Sequence, residues 1–336
     1  MDSIFAQIAK EGVKFAPGDE EIWRELYEPI YDHAQGITVI SDQRYGPATR
    51  NLLDIYVPPS ASPKPKSGRP VLFYVHGGGF ISGDKAWSKN VYANIGHLFA
   101  SQGIITVCVN HQFVPDVQYP GGAVDMQLAR EWVFQNIGSA AFGSGDIDKV
   151  FLFGHSSGGA HIAMNLYAAG DKDRYDELSR RRSGDPAALW PPVAGVIYLD
   201  CPFWMDSRKP GRQYSLGHYY GSFQDEVWYP KSPLGLFEQL PESSPALNSQ
   251  CLPTFLGTVE WEVPETSEAT MRFFEAYRKK SQPPGSLPLM RVFRKHNHLS
   301  VVLSIGTADT SVTDALLEFI RETIGGRHGG LQTVQS

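Results

Sequence analysis

Two clusters in this 336-residue chain have the residue types and spacing that acyl-transfer chemistry needs. The first is Gly154-His155-Ser156-Ser157-Gly158, a G-x-S-x-G pattern. The apolar run Val150-Phe151-Leu152-Phe153 precedes it and the helical pattern Ala160-His161-Ile162-Ala163-Met164 follows. A strand that turns sharply into a helix strains the serine backbone and exposes its hydroxyl above the sheet. Negative charge developing there then faces a helix N-terminus. Glycine on both flanks allows the close approach. The second cluster, His76-Gly77-Gly78-Gly79-Phe80, directly follows the apolar run 71–75. Its glycines let backbone N–H groups point into a cavity. Those of Gly78 and Gly79, with the N–H of Ser157, are expected to hold the oxyanion of a tetrahedral intermediate. The plainer readings are a helix capped by Ser156 or Ser157 and a flexible glycine loop. The strand before each cluster and the helix after the first argue for the chemistry.

The elements that must position these residues are legible as an alternation. Short apolar runs at 71–75, 104–109, 150–153, 194–199, 253–257 and 289–293 fit strands buried on both faces of a parallel sheet. Helical patterns lie near 86–101, 123–137, 158–169, 266–280 and 312–324. Residues 19–32 read as a helix with an acidic first turn, and 52–57 as a strand followed by a loop marked by Pro58, Pro59, Pro63 and Pro65. The whole predicts a mostly parallel, doubly wound α/β sheet of about eight strands in one domain spanning 1–336. Two stretches interrupt the rhythm. Residues 171–190 are charged and read as a surface excursion. Residues 201–250 carry Phe203, Trp204, Tyr219, Tyr220, Trp228 and Tyr229 and read either as a lid over a binding site or as a small aromatic subcore. Residues 325–336 read as a flexible tail.

Composition narrows the function classes. Lys plus Arg number 30 and Asp plus Glu 36, a formal net charge of −6, which gives no basic patch for nucleic acid. Three widely spaced cysteines, Cys108, Cys201 and Cys251, suggest neither a disulfide framework nor a zinc site. The first residues lack the pattern of a signal peptide, and no apolar run is long enough to span a membrane. The expectation is a cytoplasmic protein acting on a small molecule, with no metal or organic cofactor.

With both glycine clusters in place, the sequence resembles the α/β-hydrolase family. More closely it is similar to the hormone-sensitive-lipase-like and kynurenine-formamidase-like branches. The resemblance covers about residues 35–324 and also rests on Asp125-x-x-x-Ala129-x-x-Trp132 and on the stretch from Arg44-Tyr45-Gly46 to Leu53-Asp54-Ile55-Tyr56. It implies a Ser-acid-His triad in that chain order. The family's acid follows the next-to-last core strand, commonly three residues beyond a glycine. Counting from Gly257 gives Glu260, with Glu262 as competitor and Asp200 and Asp206 as weaker candidates. The family's histidine follows the last strand, which gives His298, with His296 as runner-up. His155 and His161 read as packing residues, and His111 and His218 as candidates for the pocket wall.

The implied activity is hydrolysis of a carboxylic ester through an acyl-enzyme. An arylformamidase acting on N-formylkynurenine, or a lactonase, would use the same triad. Phe80, where formamidase-like enzymes tend to carry Trp, tilts the reading towards an ester. Outside enzymes, the competing reading is a non-catalytic small-molecule receptor on the same fold.

Overall fold

A computed structural model describes residues 1–14, 19–62, 65–179 and 189–329. Pro63, residues 180–188 of the charged excursion and residues 330–336 of the expected tail lie outside the described residues. The strands are β1 (Thr38–Arg44), β2 (Leu52–Val57), β3 (Arg69–Val75), β4 (Ile105–Val109), β5 (Gly145–His155), β6 (Gly195–Leu199), β7 (Thr254–Trp261) and β8 (Leu289–Asn297). They form one sheet in the order β1-β2-β4-β3-β5-β6-β7-β8. The β1–β2 and β2–β4 pairs are antiparallel and the other neighbours are parallel.

Among the described residues, twelve α-helices accompany the strands. They are α1 (Asp2–Glu11), α2 (Asp19–Tyr27), α3 (Ala93–Ser101), α4 (Gly121–Asn136), α5 (Ser157–Leu166), α6 (Tyr175–Ser179), α7 (Pro210–Tyr220), α8 (Asp225–Trp228), α9 (Pro233–Glu238), α10 (Pro264–Lys280), α11 (Ser300–Leu303) and α12 (Ser311–Gly329). The last helix runs through Gly329, past the expected start of the tail at 325.

Strand alternation divides the core. Val71, Phe73 and Val75 of β3, Val150 and Leu152 of β5, and Val196 and Tyr198 of β6 face a layer shared with α4, α5 and α10. Leu72 and Tyr74, Phe151 and Phe153, and Ile197 and Leu199 face the layer holding α1, α3 and α12. Side chains of period two with both faces covered explain why these strands read as continuous apolar runs. Asp125 of α4, buried, accepts the Asn51 side-chain amide at 2.8 Å and the Gln112 N–H at 2.8 Å. It thereby ties α4 to the loops at the ends of β1 and β4.

The segment 201–250 folds as α7 to α9 with connecting turns. Phe203, Trp204, Tyr219, Tyr220 and Trp228 are buried there and join the core on the α5 side of the sheet. Phe203 stacks on Phe273 of α10 with ring centroids 3.9 Å apart. Its aromatics build a subcore, and the segment presents other residues to the site below.

Candidate active site

Ser156 follows β5 and caps α5 with φ 51° and ψ −129°. This is backbone that a non-glycine residue adopts only under strain, of order 1–3 kcal/mol. Neighbours hold it there: the Ser156 N–H donates to the Leu199 carbonyl of β6 at 2.9 Å. The elbow also needs Gly158. A Cβ at that position would stand 2.3 Å from the Val75 carbonyl oxygen and 2.5 Å from that of His76. The start of α5 is thus pressed against the end of β3, where the second glycine cluster begins.

In that cluster Gly78 has φ 129°, and a Cβ on it would lie 1.9 Å from the Ser82 carbonyl oxygen. The Gly78 carbonyl accepts the N–H groups of Ile81 and Ser82, each at 3.0 Å. The Gly79 carbonyl accepts the Ser215 hydroxyl of α7 at 3.4 Å. With their carbonyls occupied in this way, the N–H groups of Gly78, Gly79 and Ser157 have no acceptor among the described residues. All three residues line the cavity that also contains Ser156.

His298 sits just beyond β8. Its Nε2 accepts the Ser156 hydroxyl at 2.9 Å, and its Nδ1–H donates to Glu262 Oε1 at 2.9 Å. Both His298 and Glu262 are buried. Burial works to raise the Glu262 carboxyl. Facing His298, and hydrogen bonds from Asp200, His298 and the Val263 N–H, outweigh that and hold it below the ordinary carboxylate range. An ionised acid on Nδ1 and a hydroxyl on Nε2 is the arrangement in which imidazole serves as general base.

The acid expected at Glu260 is not at the histidine. β7 continues to Trp261, so Glu260 is still within the strand. The β7–β8 register shifts between Val259 and Trp261, with Val259 opposite Phe293 and Trp261 opposite Asn297. Extra residues of β8 bulge there, and Lys295 takes φ 64°. The Glu260 carboxylate accepts the Lys295 N–H at 2.9 Å and lies 3.6 Å from Arg294. It stabilises the bulge, while Glu262, first past the strand, turns inward to His298. The count of three from Gly257 becomes a count of five because β7 runs four residues past its apolar run, to Trp261, and only Glu262 lies beyond it.

Asp206 and His296 are both engaged away from the nucleophile. Asp206 pairs with exposed Arg208 at 2.7 Å. His296 is buried with Asp309 2.9 Å from its Nε2 and the Ser300 hydroxyl 3.2 Å from its Nδ1, away from Ser156. His155 does more than pack: its Nε2–H donates to the His298 carbonyl at 2.9 Å and so fixes the loop that carries the base. His111 is buried against His76 and lines no part of the cavity, whereas His218 packs against Tyr214.

Asp200 follows β6 with φ 50° and is wholly buried. Its carboxyl faces that of Glu262, whose Oε2 no N–H or hydroxyl of the described residues reaches. Two acceptor groups facing each other out of water cannot both be ionised. Burial, reinforced by the Glu262 charge, pushes Asp200 well above the ordinary carboxylate range, so Asp200 is the protonated partner and Glu262 the charged one. His155, Asp200 and His298 have potential ligand atoms within 4.8 Å of one another. Both ring nitrogens of His298 are already committed to Ser156 and Glu262, which leaves that residue no lone pair for a metal.

The cavity over Ser156 has a volume of about 440 Å³. Phe80, Ile81, Trp87 and Tyr92 form its apolar wall, with Pro202 and Met205 from the segment above. The aromatics therefore come mainly from the loops before α3 rather than from 201–250. A larger open cleft of about 740 Å³ lies at the β8 edge, away from Ser156 and His298.

A parallel-cored eight-stranded sheet with a serine elbow after β5 and a histidine after β8 defines an α/β-hydrolase, and this chain has that fold. Within that class, residues 53–187 match the family model described as BD-FAE. A probable isoprenylcysteine alpha-carbonyl methylesterase of Oryza sativa subsp. japonica is 36% identical over 137 residues, 40% of this chain and 30% of the relative. Probable carboxylesterase 13 of Arabidopsis thaliana is 28% identical over 201 residues, 57% of each chain. The chain thus spans only 30% and 57% of the lengths of these two curated relatives. Among solved structures, esterase B from Lactobacillus Rhamnosis (HN001) superposes with a TM-score of 0.68 at 17% identity, covering 97% of this chain and 96% of that one. No helix among the described residues is long and apolar enough to cross a membrane.

Proposed function

We propose that the protein is a serine carboxylester hydrolase working through an acyl-enzyme on small-molecule esters in the cytoplasm. The observation that carries this reading is the chain of contacts from Ser156 through His298 to Glu262, at 2.9 Å each, beside three unengaged N–H groups. His298 takes the hydroxyl proton as Ser156 Oγ attacks the ester carbonyl. Glu262 holds the imidazole tautomer and stabilises the imidazolium. The N–H groups of Gly78, Gly79 and Ser157 take the oxyanion. His298 returns the proton to the departing alcohol, and water then attacks the acyl-enzyme with the same base. Relatives named as esterases support the reaction class.

Amide and lactone hydrolysis would use the same groups, so the test sets substrates side by side. A p-nitrophenyl ester series and N-formylkynurenine are incubated with the protein and with Ser156→Ala. Ester turnover that disappears in Ser156→Ala is the expected result. Full activity in that variant, or turnover of the formamide alone, overturns the ester reading. Failure of Ser156 to react with a phosphonate probe would return the chain to the receptor class.

A further inference from the structure

The cavity is polarised. Glu265, in the first turn of α10, has a side chain only 2% exposed. Its Oε1 accepts the Asp206 N–H at 2.6 Å, and its Oε2 accepts Arg212 Nε at 2.9 Å with Lys209 Nζ at 3.5 Å. Taking a carboxylate out of water is costly unless it is paired, so the pairing fixes the cations as well as the acid. Two cations nevertheless share one carboxylate. Arg208 does not alter the balance, because Asp206 holds it through two bonds, at 2.7 Å and 2.9 Å. Only the Nε of Arg212 is spent on Glu265, and its two Nη groups have no acceptor among the described residues.

Arg212 and Lys209 line the same cavity as Ser156. Ser215, three residues along α7 from Arg212, is the residue whose hydroxyl reaches the Gly79 carbonyl. Residues three apart share a helix face, so Arg212 stands about one turn, ~5 Å along the axis, from the contact with the oxyanion loop. Glu20, Trp87 and Tyr92 line the cavity as well, and the Glu20 charge acts on the Tyr92 hydroxyl. An anion is therefore attracted to the α7 wall and repelled from the Glu20 wall.

We propose that Arg212 and Lys209 form a carboxylate-binding subsite, so that the preferred substrates are esters carrying a second, ionised carboxyl several bonds from the scissile carbonyl. This rests on the esterase reading. Glu265 acts as the orienting group: by occupying Nε it presents the remaining edge of the guanidinium to the cavity, a geometry suited to a planar carboxylate. Hydrolysis adds one water, breaks the acyl C–O bond and gives the alcohol and a second carboxylate with release of one proton.

The test compares kcat/KM for charged and neutral esters of matched length at low salt. One arm sets mono-p-nitrophenyl adipate against p-nitrophenyl hexanoate, placing the charge on the acyl side. The other sets 4-carboxyphenyl butyrate against phenyl butyrate, placing it on the alcohol side. The expected result is a tenfold or larger preference for the charged ester in one arm, lost at high salt. Arg212→Gln should collapse that ratio by about tenfold and Arg212→Lys should keep part of it, because Lys retains the charge without the fork. Phosphonate labelling of Ser156 in each variant reports whether the site has folded. Equal or better turnover of the neutral ester in both arms, or an unchanged ratio in correctly labelled Arg212→Gln, overturns the inference while the esterase reading stands. Absence of turnover with every ester overturns both.

Discussion

Replacing Glu262 by Gln removes a charge while keeping nearly the same shape, and its consequence follows from the contact with His298. The carboxylate and the imidazolium formed during attack have charge centres about 4 Å apart, and at an effective dielectric near 20 their attraction is worth about 4 kcal/mol. Both groups are buried, so solvent screens this little. At ~1.4 kcal/mol per decade, kcat should fall about a thousandfold. A flipped amide presenting its NH₂ to Nδ1 would impose the wrong tautomer and push the loss towards ten-thousandfold. The assay is steady-state hydrolysis of p-nitrophenyl butyrate, with Glu260→Gln as the matched control. Glu260 is part-exposed and its ion pair with Arg294 spans 3.6 Å. Such pairs contribute about 0–1 kcal/mol, so the control should stay within about threefold of the parent. A large loss in Glu260→Gln with near-normal activity in Glu262→Gln would refute the assignment of the acid and the reasoning from the β8 bulge.

Three further outcomes follow from the same site. Asp200→Leu removes the proton that Glu262 Oε2 receives, so the Glu262 carboxyl should rise and the acid limb of the kcat–pH profile should move to higher pH. Asp200→Asn, which keeps a donor, should leave the limb in place. Gly158→Ala forces a Cβ against two backbone carbonyls and should destabilise the protein by about 1–3 kcal/mol or more, read as a lower urea midpoint. Burial holds His76 at about 4 and His111 and His155 at about 3. The unfolded chain takes up protons on these rings below about 6.5, whereas the folded chain stays neutral until much lower pH. Stability should therefore fall as pH drops through that window, by about 3 kcal/mol for His76 alone between 6.5 and its folded value near 4. Urea midpoints measured from pH 7 to pH 4 check this, and His111→Gln should flatten the slope.

How much of this was legible depends on burial. The strands β3 to β7 announced themselves because both faces are covered, and their runs are apolar throughout. β1 gave no signal: it is an antiparallel edge strand whose residues are largely exposed. The helix expected from residue 86 begins only at Ala93, after Tyr92 with φ 64°, because residues 81–92 form the turns that bring Trp87 and Tyr92 to the cavity. The structure places Ser156, His298, Gly78, Gly79 and Ser157 together. Their motifs encode local backbone geometry, and local geometry is what spacing reports. In sequence Glu262 stands only as a competitor, since choosing it requires knowing where β7 ends and how β8 bulges, a matter of pairing across 35 residues of chain. The Arg212–Glu265 pair is invisible in sequence for the same reason.

The nucleophile and its base touch across a sequence separation of 142 residues, from the end of β5 to the turn after β8. The contact exists only when β6, β7 and β8 have docked in order on β5. Loops of that length close late, because their entropy is repaid only once the strands between them are paired. Catalytic competence is therefore a report on the C-terminal edge of the sheet. A nascent or refolding chain that already holds β1 to β6, and with them the strained elbow, has its serine in place and no base to activate it, so it carries a dormant nucleophile until the last strand is in register.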